Sequence, residues 1–445
     1  MRLFTLGRRE TRQVRRSRGR AIADVRDGPR MSARGTSPAG RVCLVRHCAY
    51  YELDIRREAE ALRDAGLDVD IVCLREPGKP AVETDNGVTL HRLPLARRRG
   101  GPLSYVRDYL AFFVGASVTV ARLHRQRPFR VVQTHSMPDF LVFTALLPRL
   151  RGAKVVAFLQ EPTPELGKTK YGSALLVRLL RFIEQAAIRF ADLVVTVTDD
   201  LKETYVARGA DPDKIVVVLN GPDARHLLEH RTDAPPDPAW FTAVCHGFVD
   251  ERYGHDTMVR AVRLAADRIP NLRLRIMGTG EYLPEVQRLI DEEGVRDRVQ
   301  YLGWLEMPEL VAELCAADVG IVAQKSSPYS NLVHTNKMYE YMLLDVPVVA
   351  SRLRSTARYF GDDAVQYFEP GSAESLADAL VGLHENPDRR RALVAAARER
   401  CRAFGWTAQK EIYLAAYAAL LGGELPGRRE VGAEDAGRPS RAVAG

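Results

Sequence analysis

The chain has 445 residues, 46% of them hydrophobic and 27% charged, with a formal net charge of +8. This is long for one domain and apolar enough for two cores, which excludes a wholly disordered or fibrous chain. Much of the positive charge sits in residues 1–41, so no nucleic-acid partner is expected for the folded part.

That first stretch is Arg-rich and lacks apolar periodicity, and residues 1–40 read as a disordered basic tail. No apolar run follows the basic residues as a secretory signal would need. Met31, just before the first apolar run, marks a competing start. The six cysteines are Cys43, Cys48, Cys73, Cys245, Cys315 and Cys401. They form no CxxC pair, so neither a zinc site nor a redox pair is expected, and a reducing cytosol fits them. No apolar run is long enough to span a membrane.

From residue 41 to about 220, short apolar strands alternate with amphipathic helices. Strands are expected at 41–46, 69–74, 88–93, 130–135, 154–159, 193–198 and 214–219, with a helix over 54–65 among those between them. Such alternation builds a doubly wound parallel sheet, whose ligands sit at the carboxyl ends of the strands. Three of those ends carry chemistry. Residues 47–51 follow the first strand without the glycine-rich turn of a dinucleotide site. His135 ends a buried strand, where it is either structural or an acid–base group on the binding rim. Gln160 and Glu161 follow another strand, in a stretch stiffened by Pro162 and Pro164, although Glu161 and Glu165 also suit a solvated turn. Two helices, 104–126 and 171–190, set basic residues beside apolar faces. They are either core helices with basic flanks or surfaces for an anionic membrane. Arg97, Arg98 and Arg99 precede the first of them.

Residues 224–238 hold Pro235, Pro236 and Pro238 and read as a linker. A second strand–helix series follows, with strands at 241–246, 271–277, 299–305, 317–324, 346–350 and 364–370. Gly247 and Gly254 bracket a turn that holds Arg252, with a helix over 255–267 behind it. Gly278 and Gly280 end the next strand, where glycine would let the backbone approach a ligand closely.

The most informative stretch is SNLVHTNKMYEYMLLDVPVVAS, residues 330–351. A polar loop with Asn331, His334 and Thr335 runs into a short helix that Thr335 or Asn336 can cap, and the helix leads into a buried strand. Lys337 and Glu340 share a helix face, as a solvent-facing pair or as ligand groups. A helix start beside strand ends suits a phosphate, and a carboxylate there suits a diol. A last helix is expected over 407–421.

HGFVDERYG, LRIMGTGE, YLGWL, AADVGIVA and NKMYEYMLLDVPVVAS occur in an order and spacing that resemble the family-four retaining glycosyltransferases. Those proteins have the GT-B fold, an α/β architecture of two Rossmann-like domains facing a central cleft. THSMP, ADLVVTVT and KIVVVLNGPD resemble the first domain of the same family more loosely. The resemblance implies an acceptor domain at 41–222 and a donor domain at 240–402. It further implies a helix at 403–421 returning to the first domain, with 422–445 left as a tail. It also implies that Glu340 holds the nucleotide ribose and that Gly278 and Gly280 pass the base, which Tyr301 and Leu302 frame. Arg252 stands beside the family's diphosphate-binding lysine position, and His135 resembles the histidine that faces the donor sugar. Four positions depart from the pattern, one of them Gln160, where a histidine is common after the fifth strand. Leu332 stands where the family has Glu, Phe248 where it has Arg, and Tyr253 where it has Lys. Arg252 and Lys337 are the cations left to replace them.

The expected function is a cytoplasmic, retaining transfer of a hexosyl-type sugar from a nucleotide diphosphate donor. The acceptor would be lipid-linked, a polysaccharide or a small molecule, possible at the inner face of an anionic membrane. His135, Arg252 and Lys337 are the catalytic candidates. Donor-binding candidates are Gly247, Gly278, Gly280, Tyr301, Leu302, Asn331, His334, Thr335 and Glu340. No metal and no cofactor beyond the donor are expected, and no Asp-x-Asp motif is present. The alternatives are a sugar-nucleotide epimerase and a non-catalytic binder on the same fold.

Overall fold

A computed structural model describes residues 40–49, 53–95, 102–233, 235–423 and 425. The tail expectations at 1–40 and 422–445 fall largely outside them, as do Arg97, Arg98 and Arg99.

The first sheet has eight strands: β1 (Arg41–Val45), β2 (Asp68–Leu74), β3 (Val82–Asp85), β4 (Val88–Leu93), β5 (Val131–His135), β6 (Lys154–Leu159), β7 (Leu193–Thr196) and β8 (Ile215–Val217). Their order is β3-β4-β2-β1-β5-β6-β7-β8. All neighbours are parallel except β3, which pairs antiparallel with β4 across an Asn86–Gly87 turn in which both residues have positive φ. That two-residue turn matches the twist of a hairpin. β3 was not expected, because Val-Glu-Thr-Asp on an exposed edge has no apolar run. The central strands are buried on both faces and read as continuous apolar segments, as parallel strands do.

The second sheet has six parallel strands: β9 (Phe241–His246), β10 (Leu272–Met277), β11 (Val299–Gly303), β12 (Val319–Val322), β13 (Val348–Ser351) and β14 (Gln366–Phe368). Their order is β11-β10-β9-β12-β13-β14. Two apolar clusters cover its two faces. The molecule therefore has two α/β domains of the doubly wound kind. The linker expected at 224–238 begins with a short helix, Ala224–Leu228, capped by Asp223 Oδ1 accepting from Arg225 N. The helix expected over 171–190 is Ala174–Phe190, and an unexpected helix, Thr163–Tyr171, precedes it across Gly172. An unforeseen helix, Pro387–Phe404, precedes the last one, Trp406–Leu420.

That last helix belongs to the first domain. Trp406, Tyr413, Leu414 and Tyr417 complete the first domain's core. Tyr413 and Tyr417 each donate to Gln133 Oε1, at 2.9 and 2.5 Å, and Gln133 Nε2 donates to Glu58 Oε2 at 2.7 Å. At the crossing, Arg57 donates to Asn220 and to the Gly221 carbonyl and lies over the Trp406 ring.

The domains also meet directly. Thr198 Oγ1 donates to the Leu332 carbonyl at 2.6 Å. Tyr359 OH donates to Asp199 Oδ2 at 2.7 Å, and Arg354 pairs with Asp200 at 2.8 Å. Tyr329, Leu332 and Val333, all from the second domain, are buried within the first domain's apolar cluster.

Candidate functional site

The carboxyl ends of both sheets look onto the space between the domains. On the second-domain side, the loops after β9 and β10 lie against each other through their backbones. Gly247 N donates to the Met277 carbonyl and Val249 N to that of Thr279. A Cβ on Gly278, whose φ is +130°, would come within 1.9 Å of the Gly247 carbonyl oxygen, and one on Gly280 as near to that of Val249. The close approach that these glycines permit in this structure is to the backbone of the loop after β9. Tyr301 joins the same assembly, its OH donating to the Gly278 carbonyl at 2.7 Å. Leu302 is partly buried against the second domain's core.

The helix expected in the 330–351 stretch is Asn336–Leu343. Thr335 occupies its N-cap position with extended backbone but makes no side-chain cap bond, so the expected cap is not formed. Lys337 and Glu340 do share a face, yet they do not pair. Glu340 Oε2 lies 3.1 Å from His246 Nε2 at the end of β9. Lys337 is buried. Its Nζ stands 4.3 Å from the centre of the Tyr253 ring, and its Cε is so close to Gly247 that a Cβ there would meet it at 2.8 Å. No carboxylate among the described residues pairs with it. The solvent-facing pair is therefore excluded, because one turn of helix sends a carboxylate and a buried cation to separate partners beside the same glycine. Behind them His255 opens the helix His255–Ala265. Burial, with the Lys337 charge second, lowers its pKa to about 4, so the ring is neutral at pH 7.

Asn331 and His334 do other work than expected. Asn331 Nδ2 donates to Ser326 Oγ and the Ser327 carbonyl, and its Oδ1 accepts from Arg354 N, which fixes the loop. His334 Nε2 meets Tyr339 OH at 2.6 Å, and its ring packs against Tyr359 and Phe360. Leu332 buries its side chain where the resembled family has Glu.

On the first-domain side, His135 is not on the rim. Its side chain is wholly buried, with Nε2 3.1 Å from Glu58 Oε2 and the ring against Phe158. It belongs to the Gln133 network that fastens the last helix, and this corrects its assignment to the donor sugar. The groups that face the space are others. A recess of about 250 Å³ is lined by Arg46, His47, Tyr109, Ser136, Gln160 and Glu161 of the first domain and by Arg252 and Tyr329 of the second. Ser136 Oγ accepts from Gln160 N at 3.0 Å, and Glu161 Oε2 accepts from Tyr329 OH at 2.6 Å. Burial pushes the Tyr329 hydroxyl far up in pKa, with Glu161 adding to it, so it remains a donor. Arg252 lies against the Tyr253 and Tyr329 rings. Burial opposes its charge, but those rings and the carboxylates of Asp250 and Glu161 outweigh burial and raise its pKa.

Gln160, Glu161 and Arg252 are thus brought to one recess, while Lys337 lies against Gly247 and Glu340, one turn on, beside His246. His246, Arg46 and Tyr329 are not among the sequence candidates, and His47 enters there only within the stretch 47–51. Their only sequence signal is position, at or just beyond a strand end or in a polar loop.

Two domain families match in chain order. Residues 52–221 match the glycosyl transferase 4-like domain and residues 241–386 the glycosyl transferases group 1 domain. The D-inositol 3-phosphate glycosyltransferase of Pseudarthrobacter chlorophenolicus is 25% identical over 82% of this chain and 89% of its own. The GDP-mannose-dependent alpha-(1-6)-phosphatidylinositol monomannoside mannosyltransferase of Mycobacterium tuberculosis is 29% identical over 44% of this chain and 50% of its own. Among solved structures, sucrose-phosphate synthase from Thermosynechococcus elongatus superposes with a TM-score of 0.68 at 21% identity, over 85% of this chain and all of that one. With both halves matched in order and the two-domain architecture shared, the chain belongs to the family-four-like glycosyltransferases of the GT-B fold.

Proposed function

We propose that this chain is a cytoplasmic enzyme that transfers a hexosyl-type sugar from a nucleotide diphosphate donor, with retention of anomeric configuration, to a saccharide or lipid-linked acceptor. The observation that carries the reading is the divergence of Lys337 and Glu340 on either side of Gly247. A carboxylate 3.1 Å from His246 Nε2 suits the two hydroxyls of a ribose, and an ammonium with no acidic partner among the described residues suits the diphosphate carried on the same nucleotide. Arg252, across the β9 loop, adds a second cation. Charge that develops on the departing diphosphate would be met by Lys337, Arg252 and the first-turn N–H groups of nearby helices, without a metal. The acceptor would enter from the first domain beside Gln160 and Glu161. An inositol-bearing or lipid-linked acceptor is favoured by the names of the two bacterial relatives.

Calorimetric titration of UDP and GDP into the wild type and Glu340→Gln tests the reading. The substitution keeps the shape and removes the charge, so affinity should fall by roughly 1.5–3 kcal/mol with folding stability little changed. Unchanged affinity for whichever nucleotide binds would remove the donor site from this place. A second reading, a non-catalytic sugar-nucleotide binder, is favoured by Leu332 and Phe248. Release of nucleoside diphosphate from a donor sugar by the purified protein decides against it.

A further inference from the structure

The first domain presents an apolar face away from its own core. On the helix Ala174–Phe190, Val177, Ala187 and Ile188 are buried inward, yet Leu175, Leu179 and Phe182 are 78%, 54% and 69% exposed. Their spacing of four and three sets them on one side of the helix, with Arg178 among them. In the helix just before, Lys168 and Lys170 are exposed. The two carboxylates between residues 162 and 191, Glu165 and Glu184, are both buried. The charge this stretch shows to solvent is therefore all positive. The helix Pro102–Gln126 exposes Val106, Leu110, Val114 and Val118, one per turn. Lys170 Nζ lies 5.7 Å from the ring centre of Tyr105 at its start, so the two regions adjoin.

We infer that this face of the first domain docks on an anionic lipid bilayer, with Leu175, Leu179 and Phe182 entering the headgroup boundary and Arg178 and Arg181 meeting lipid phosphates. Apolar side chains rimmed by cations, with both carboxylates of the 162–191 stretch buried, match an acidic lipid surface in both chemistry and sign. Among the described residues no helix is long and apolar enough to cross a membrane, so the contact is one of lying on the surface. The face is also close to the recess between the domains. Leu166, on the helix Thr163–Tyr171, lines that recess, and the next residue, Gly167, packs directly against Leu180 of the exposed helix. An acceptor anchored in the bilayer would thus be presented one helix away from Gln160 and Glu161. The inference goes beyond the transfer reaction and does not depend on it.

Co-sedimentation of the full chain with two kinds of vesicle tests it: phosphatidylcholine alone, and phosphatidylcholine mixed equally with phosphatidylglycerol. Binding is expected only to the mixed vesicles. It should weaken by roughly five-fold per charge removed in Arg178→Ser/Arg181→Ser and disappear in Leu179→Glu/Phe182→Glu. Nucleotide titration should be unchanged in both variants, which shows that they fold. Equal binding to both vesicles, or binding to neither, overturns the inference. So does self-association that Leu179→Glu/Phe182→Glu abolishes in a protein that ignores vesicles, since a second copy would then cover the face.

Discussion

Replacing Lys337 by Met should weaken nucleotide binding and leave the fold as stable or more so. The side chain is 8% exposed, and its described contact is the Tyr253 ring. An ammonium taken out of water without a carboxylate costs several kcal/mol, of which a cation–π contact returns about 2 kcal/mol at most. Met keeps the aliphatic stem over Gly247 and removes the desolvated charge, so stability should be unchanged or rise by about 1 kcal/mol or more. A phosphate held by that ammonium loses a charge-assisted contact of roughly 1.5–3 kcal/mol, or about 10- to 150-fold in Kd. Because the site is buried, added salt should weaken the effect little. Calorimetry with UDP and GDP gives the affinity, and urea unfolding gives the stability. A variant that is less stable by more than about 1 kcal/mol and binds nucleotide as the wild type does would show that Lys337 is a structural group and refute the reasoning.

Gln133→Leu should destabilise the protein by roughly 3–6 kcal/mol, because two tyrosine hydroxyls and the Glu58 carboxylate lose a buried partner together; a loss below about 1 kcal/mol in urea unfolding would mean the network is not what fastens the last helix. His255 binds its proton only near pH 4 when folded, against about 6.5 when unfolded. The unfolded chain therefore takes up a proton that the native state refuses, and stability falls as pH drops from about 6.5 towards 4. The difference between wild-type and His255→Asn stabilities should shrink over that window, which unfolding at a series of pH values measures.

Much of the architecture is legible in the sequence because parallel strands are buried on both faces. Runs such as RVCLVR and KVVAFL need no partner to be recognised, and their alternation with helices fixes the fold class. β3 escaped because an edge strand carries no such run, and the helix Thr163–Tyr171 because TPELGKTKY has no apolar stripe. The site was harder to read. Glycines at 278 and 280 mark a close approach, but whether ligand or backbone approaches is decided by the neighbouring loop. His135 and His246 both end central strands and look alike in sequence. Only the fold shows that one faces Glu58 inside the core and the other Glu340 at the cleft. Lys337 and Glu340 were found by their spacing, while the separation of their partners required the β9 loop in place. Leu332, a departure from the resembled pattern, becomes intelligible once its side chain is seen inside the first domain's cluster.

The return of the last helix sets an order of events during synthesis. The first sheet is complete in sequence at residue 217, yet Tyr413 and Tyr417, which close its core, emerge about 200 residues later. At synthesis rates of roughly 5–20 residues per second, that is a wait of about 10–40 s. Through it the nascent first domain exposes the apolar ground meant for Trp406 and Leu414 and leaves Gln133 without its two hydroxyl donors. The second domain, whose strands lie between residues 241 and 368 and whose buried core spans residues 219 to 401, can close first. The domain made first is therefore the last to be finished, and its completion reports that the second domain has been translated in full.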